Sequence, residues 1–275
     1  MIACGLIERR ARLRTAGELL RDPSSAPPPR APARARDNPL PRPALQVIEQ
    51  DISRWQRALS RRPSLIASLA RGRGWRYDTI RALEVGLDRG RITIPMRNAH
   101  GQLRGVLRYR PQHTDRPKML AIPGSRIGLV PHPAAEASKR ILLVEGPPDM
   151  ITARSRGLAA IAVPGDHAWQ SVWARLLVGR HVMIVMDADT QGRAAAERIA
   201  NDLVGHAQGE IVDLDERRKD GYDLTDWLLA HPQLARVGVG RRLLSCKCDL
   251  LRSDPAGMRS PTRPEEAPSF DGSWG

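Results

Sequence analysis

The chain has 275 residues, enough for one large domain or two small ones each with its own core, so size does not exclude an enzyme. Lysine and arginine outnumber aspartate and glutamate by 44 to 30, a formal net charge of +14 that attracts polyanions whatever their sequence and points to nucleic acid as a partner. Three cysteines, Cys4, Cys246 and Cys248, do not form a disulfide framework and lack a second Cys or His pair at zinc-ligand spacing; no apolar run reaches the roughly 20 residues that span a bilayer, so a cytoplasmic protein with no membrane attachment is expected.

Residues 1–44 mix arginine with proline and alanine, including Pro27-Pro28-Pro29, a composition that buries too little apolar surface to offset ordering entropy. A disordered basic arm is expected there. From Leu45 the texture changes: Val47, Ile48, Ile52, Trp55 and Leu59 recur every three or four residues, as an amphipathic helix requires. Two more helices are expected over 63–71 and 77–83. Residues 91–96 and 103–110 then alternate around a turn at 98–101, the pattern of a β-hairpin. Residues 45–137 are read as one small α+β lobe.

Residues 138–232 alternate apolar strands with helices. Strands are expected over 141–144, 159–163, 182–186 and 210–214, with helices over 148–156, 168–178 and 193–204 between them, which implies a mostly parallel sheet. Trp169 and Trp173, four apart, fit core packing better than base stacking, and Trp227 fits the apolar face of a short closing helix. His113, His167 and His181 share no ligand spacing, and Asp166 fits a helix cap. Beyond about residue 232 the chain reads as a mostly disordered tail.

The chemistry concentrates at strand ends, where an open parallel sheet binds its ligands. The first of these strands runs into Glu145-Gly146 and the third into Asp187-Ala188-Asp189, while an acid-rich loop through Asp220, Asp223 and Asp226 follows the fourth. Two aspartates two apart on an extended segment face the same side and can share a hard divalent cation such as Mg²⁺. Glu145, on an adjacent strand end, would add a ligand or move a proton, Gly146 would allow a close backbone approach, and Gly192 a tight turn after Asp189.

Leu143-Val-Glu-Gly-Pro-Pro-Asp149, Ala162-Val-Pro-Gly165 and Met183-Ile-Val-Met-Asp-Ala-Asp-Thr-Gln-Gly192 together resemble the Toprim domain shared by bacterial replicative primases, type IA and II topoisomerases and some nucleases, the primases most of all. The resemblance implies a metal site at Glu145, Asp187 and Asp189 with Asp223 as a further acid, supported by Asp149 and, less directly, Asp226. More loosely, residues 63–133 resemble the amino-terminal half of the primase core, which implies that Arg108, Arg110 and Lys118 meet template and nucleotide phosphates in a groove beside the acids. No zinc-binding or helicase-binding segment of the primases is recognisable. The fold expected is α/β, a parallel-sheet Toprim domain preceded by the small α+β lobe. The function implied is synthesis of short RNA primers on single-stranded DNA from nucleoside triphosphates with Mg²⁺ or Mn²⁺, with a replicative helicase or another replication protein acting in trans. A metal-dependent nuclease and a non-catalytic nucleic-acid-binding accessory of a mobile element stand as alternatives; for strand cleavage of the topoisomerase kind, Tyr77, Tyr109 and Tyr222 are poorly placed nucleophiles.

Overall fold

A computed structural model describes residues 44–110, 117–165 and 168–232. The expected basic arm and tail, the cysteines, His113, His167 and Asp166 lie outside these residues. Three helices open the described chain: α1 (Glu49–Ser60), α2 (Pro63–Arg73) and α3 (Tyr77–Ala82). In α1 the Asp51 carboxylate accepts the Ile48 N–H at 3.1 Å, and Ile52, Trp55 and Leu59 form the buried stripe. Pro63 starts α2, where its missing N–H costs nothing, and Gly74, at a left-handed φ of 68°, ends it and turns Trp75 into the core.

Strands β1 (Gly86–Asp88), β2 (Arg91–Arg97), β3 (Leu103–Tyr109) and β4 (Met119–Ala121) form an antiparallel sheet in that order. The hairpin of β2 and β3 is as the alternation predicts; the two edge strands, three residues each, are too short to leave a period in the sequence. Alternation along β3 sends Val106 towards Ile52 and Trp55 of α1, and Leu107 and Tyr109 to the opposite face, into the main core.

The second sheet is fully parallel, with strand order β6-β5-β7-β8, built from β5 (Arg140–Val144), β6 (Ala160–Ala162), β7 (His181–Val185) and β8 (Gln208–Ile211). Both its faces are buried, which is why β5 and β7 read as unbroken apolar runs. Leu142, Val144, Met183 and Val185 face α4 (Pro147–Ser155), α6 (Leu224–Ala230) and the antiparallel sheet. Ile141, Leu143, Val182 and Ile184 face α5 (Thr190–Leu203) and the 3₁₀ segment Ser171–Leu177. That segment replaces the α-helix expected over 168–178. Trp173 in this segment and Trp169 just before it are buried in an edge-to-face pair 5.9 Å apart, with Trp169 Nε1 donating to Asp202, so they serve the core as their spacing suggested. Strand β8 lies two to three residues earlier than expected, and α5 starts three residues earlier because Asp189 caps it.

One apolar cluster joins the helices, the antiparallel sheet and the parallel sheet: Trp75, Ile80, Ile94 and Tyr109 pack with Val144, Met150 and Val185. Trp75 also anchors by hydrogen bonds, its Nε1 donating to Pro148 O (3.2 Å) and Thr152 Oγ1 (3.1 Å). Among the described residues no helix is long and apolar enough to cross a membrane.

Candidate metal and nucleotide site

Strands β5 and β7 are neighbours, yet the helices that follow them cover opposite faces of the sheet. At such a switch point the two connections diverge and leave a crevice beyond the carboxyl ends of the strands. Glu145 follows β5 and Asp187 follows β7, so the topology places them side by side: the Glu145 Oε2 accepts the Asp187 N–H at 3.2 Å.

Local backbone geometry adds the remaining acids. Asp189 caps α5, its Oδ1 accepting the Gly192 N–H at 2.7 Å. The helix begins so close to the strand end that a β-carbon at position 192 would lie 2.2 Å from the Asp187 carbonyl oxygen. Gly192 is thus needed for close approach within the first turn of α5, rather than for the turn foreseen from the sequence. Ala188 donates its N–H to Tyr222 O at 2.9 Å, a single bridge that draws the 220–223 loop against the Asp-x-Asp segment. Asp223 follows at once and caps α6 through the Asp226 N–H at 2.7 Å. Asp226 itself is exposed in the first turn of α6, where a negative charge suits the helix dipole. Gly146 is the amino-terminal cap of α4; a β-carbon there would lie 3.2 Å from Asp149 Oδ2.

Asp149 is buried beneath the cluster, its Oδ1 accepting both the N–H (3.2 Å) and the hydroxyl (2.6 Å) of Thr225. Thr225 in turn touches Thr152 at 3.0 Å, and the Thr152 hydroxyl donates to Arg73 O. This buried polar network ties α4, α6 and the end of α2 together. It also carries Arg73 to the acids: its Nη1 lies 3.5 Å from Asp223 Oδ2 and its guanidinium 5.7 Å from the centre of the Tyr109 ring. Neither Arg73 nor Tyr109 is signalled as a site residue by the sequence, because 150 residues separate Arg73 from its partner.

The electrostatics follow from burial and like charge. Asp187 is pushed up to about 9, first by burial, then by Glu145, Asp149, Asp223 and Asp189. Asp149 is raised to about 7 by burial and by Asp223, against the Thr225 bonds. Asp223 is raised by burial and by Asp226, with Arg73 and backbone N–H groups opposing. Burial likewise raises Tyr109, with the nearby Arg73 guanidinium opposing. Among the described residues no three His, Cys, Asp or Glu side chains already stand as a metal-ligand set. The donors nevertheless fit a hard divalent cation in kind: they are all carboxylates, they converge on one crevice, and their repulsion is what a +2 charge would relieve.

The basic residues implied by the resemblance belong to the antiparallel sheet. Arg108 pairs with Asp88 at 2.7 Å, and its buried Nε has no partner among the described residues. Alternation puts Arg108 and Arg110 on the opposite face of β3 from Tyr109, and Lys118, whose carbonyl accepts the Arg110 N–H, is exposed across from Arg110. The three share the face of the antiparallel sheet opposite the one that Tyr109 turns into the core. His181, by contrast, pairs with Glu210 at 3.0 Å.

Residues 142–226 match the Toprim-like family. The gene 57 protein of Mycobacterium phage D29 is 32% identical over 100 residues, 36% of this chain and 66% of that protein. Among solved structures, the zinc-binding and RNA polymerase domains of the Aquifex aeolicus primase align with a TM-score of 0.56 at 20% identity, over 72% of this chain and 59% of that one. A DnaG primase catalytic domain bound to single-stranded DNA aligns with a TM-score of 0.56 at 18% identity, over 68% and 74%. This chain therefore spans only part of the length of the phage relative and of the Aquifex structure. It carries a Toprim-like domain over residues 142–226, set within a fold shared with primase catalytic cores.

Proposed function

We propose that this protein is a metal-dependent primase that joins ribonucleotides into short primers on single-stranded DNA. The observation that carries the reading is the convergence of Glu145, Asp187, Asp189 and Asp223 at the β5/β7 switch point, with Asp187 held at about 9 by burial and by its acidic neighbours. An arrangement so unfavourable when empty of cations is one that a bound divalent ion stabilises. The likeness to a primase domain bound to single-stranded DNA supports the substrate class.

Asp187 and Asp189, with Glu145 and Asp223 beside them, would hold Mg²⁺ or Mn²⁺, which supplies charge neutralisation at the triphosphate and at the attacking 3′-hydroxyl. The remaining work falls to the chain's own groups. Glu145, fixed against the Asp187 N–H, is placed to take a proton from the attacking hydroxyl. Arg73, poised between Asp223 and the Tyr109 ring, is placed to meet a triphosphate oxygen, as a guanidinium fork does well. The Asp149–Thr225–Thr152 network keeps Asp223 and Arg73 in register.

Labelled ribonucleotides offered with single-stranded DNA and Mg²⁺ or Mn²⁺ test the reading. Short RNA products are expected from the native chain and none from the Asp187→Ala/Asp189→Ala variant. Shortened DNA without RNA products would replace it with a nuclease, and binding alone, indifferent to the double substitution, with an accessory role.

A further inference from the structure

At the opposite end of the parallel sheet, below the amino ends of β5, β7 and β8, lies an open cleft of about 620 Å³. Lys139, Arg140, Arg180, His181 and His206 line it; among the described residues no aspartate or glutamate does, although Glu210 pairs with His181 at 3.0 Å. Arg180 is fixed by backbone carbonyls: Nη2 donates to Pro133 O (2.9 Å) and Glu136 O (2.7 Å), and Nη1 to Ser138 O. These bonds immobilise the guanidinium without cancelling its charge, as a carboxylate partner would. Three backbone bonds, His181 N to Lys139 O, Gln208 N to Arg180 O and Gly179 N to His206 O, tie the lining segments to one another, so the backbone that carries the cations is preset and the Arg180 guanidinium needs little ordering to receive a ligand. Lys139 and Arg140 are exposed at its edge.

The geometry points to a second phosphate-binding site in this cleft, one that takes the backbone of a single-stranded nucleic acid already engaged elsewhere on the protein. Grouped cations without base-reading geometry favour phosphates over bases. The cleft lies five residues of strand from the acids, roughly 16 Å at about 3.3 Å per residue, too far for one nucleotide to touch both. Its contribution must therefore appear only with longer strands. It stands apart from the acid cluster, so it survives failure of the primase reading.

Fluorescence anisotropy of the full chain with labelled oligothymidylates of about 2 and about 30 nucleotides, over a range of NaCl concentrations, tests this by counterion release. Relative to the native chain, Lys139→Glu/Arg140→Glu should weaken the longer strand about tenfold and lower the slope of log affinity against log salt by about 1.4, two phosphates at about 0.7 each. The shorter strand should bind as before. The control Arg57→Glu/Arg61→Glu, an equal charge change at the exposed end of α1, should have a much smaller effect, and Asp187→Ala/Asp189→Ala should keep the full length dependence. Equal losses from the two charge reversals, or an unchanged slope, would overturn the proposal. So would calorimetry with inorganic pyrophosphate in which only pyrophosphate binding is lost, since the cleft would then take a free phosphate rather than a strand.

Discussion

A methyl group at position 192 would press into the Asp187 carbonyl, so Gly192→Ala is expected to cost roughly 1–3 kcal/mol in urea unfolding and to abolish metal-dependent activity by displacing the Asp-x-Asp segment. Asp149 permits a finer test. Asn at that position keeps an oxygen for Thr225 while removing a charge that burial and Asp223 disfavour, so Asp149→Asn should leave stability at pH 8 equal or higher. Asp149→Ala, which strips the buried Thr225 N–H and hydroxyl of their acceptor, should cost about 1–3 kcal/mol. Equal losses from the two substitutions would show that Asp149 does more than accept those bonds.

Between elements, Trp75 joins the end of α2 to α4 through both its ring and its indole N–H. Trp75→Ala should destabilise the protein by about 3–5 kcal/mol, and because the two sheets share that core, fluorescence and circular dichroism should still report one transition. Two separated transitions would mean that the sheets unfold independently. The helix caps belong to the same scale: Asp189 and Asp223 each start a helix while facing the crevice, so each alanine variant should lose about 1 kcal/mol of stability in addition to any loss of activity.

For the molecule as a whole, pH and metal are linked. Asp149 and Asp187 are raised from the ordinary carboxylate value of 3.8 to about 7 and about 9. The folded state thus binds protons that the unfolded chain has already released, and the sign follows: the contribution of these two groups to the stability of the metal-free protein is fully present below the ordinary carboxylate range and is lost as pH rises through about 7 and then about 9. Mg²⁺ should reverse that loss, so thermal midpoints measured from pH 5 to 9 should fall in chelator and stay flatter with the metal. Parallel curves would remove the acid cluster as a metal site.

What the sequence determined by itself was the parallel sheet and the carboxylates at its strand ends, because strands buried on both faces are continuous apolar runs and each acid directly follows one. Local chemistry also announced the hairpin around residues 98–101, whereas the capping roles of Asp189 and Asp223 show only in the structure. Only the tertiary structure decided the rest. Arg73 reaches Asp223 across 150 residues, through a buried threonine network that no local pattern records. Arg108 is put on the face opposite Tyr109 by the two-residue alternation of β3, a matter of register, and is held by Asp88 from another strand. The cationic cleft gathers residues from three strand beginnings, each of which reads alone as an ordinary solvated charge. Spacing along a chain fixes what neighbours can do, while charges brought together from distant segments acquire their partners, and their raised proton affinities, only when the sheets pack.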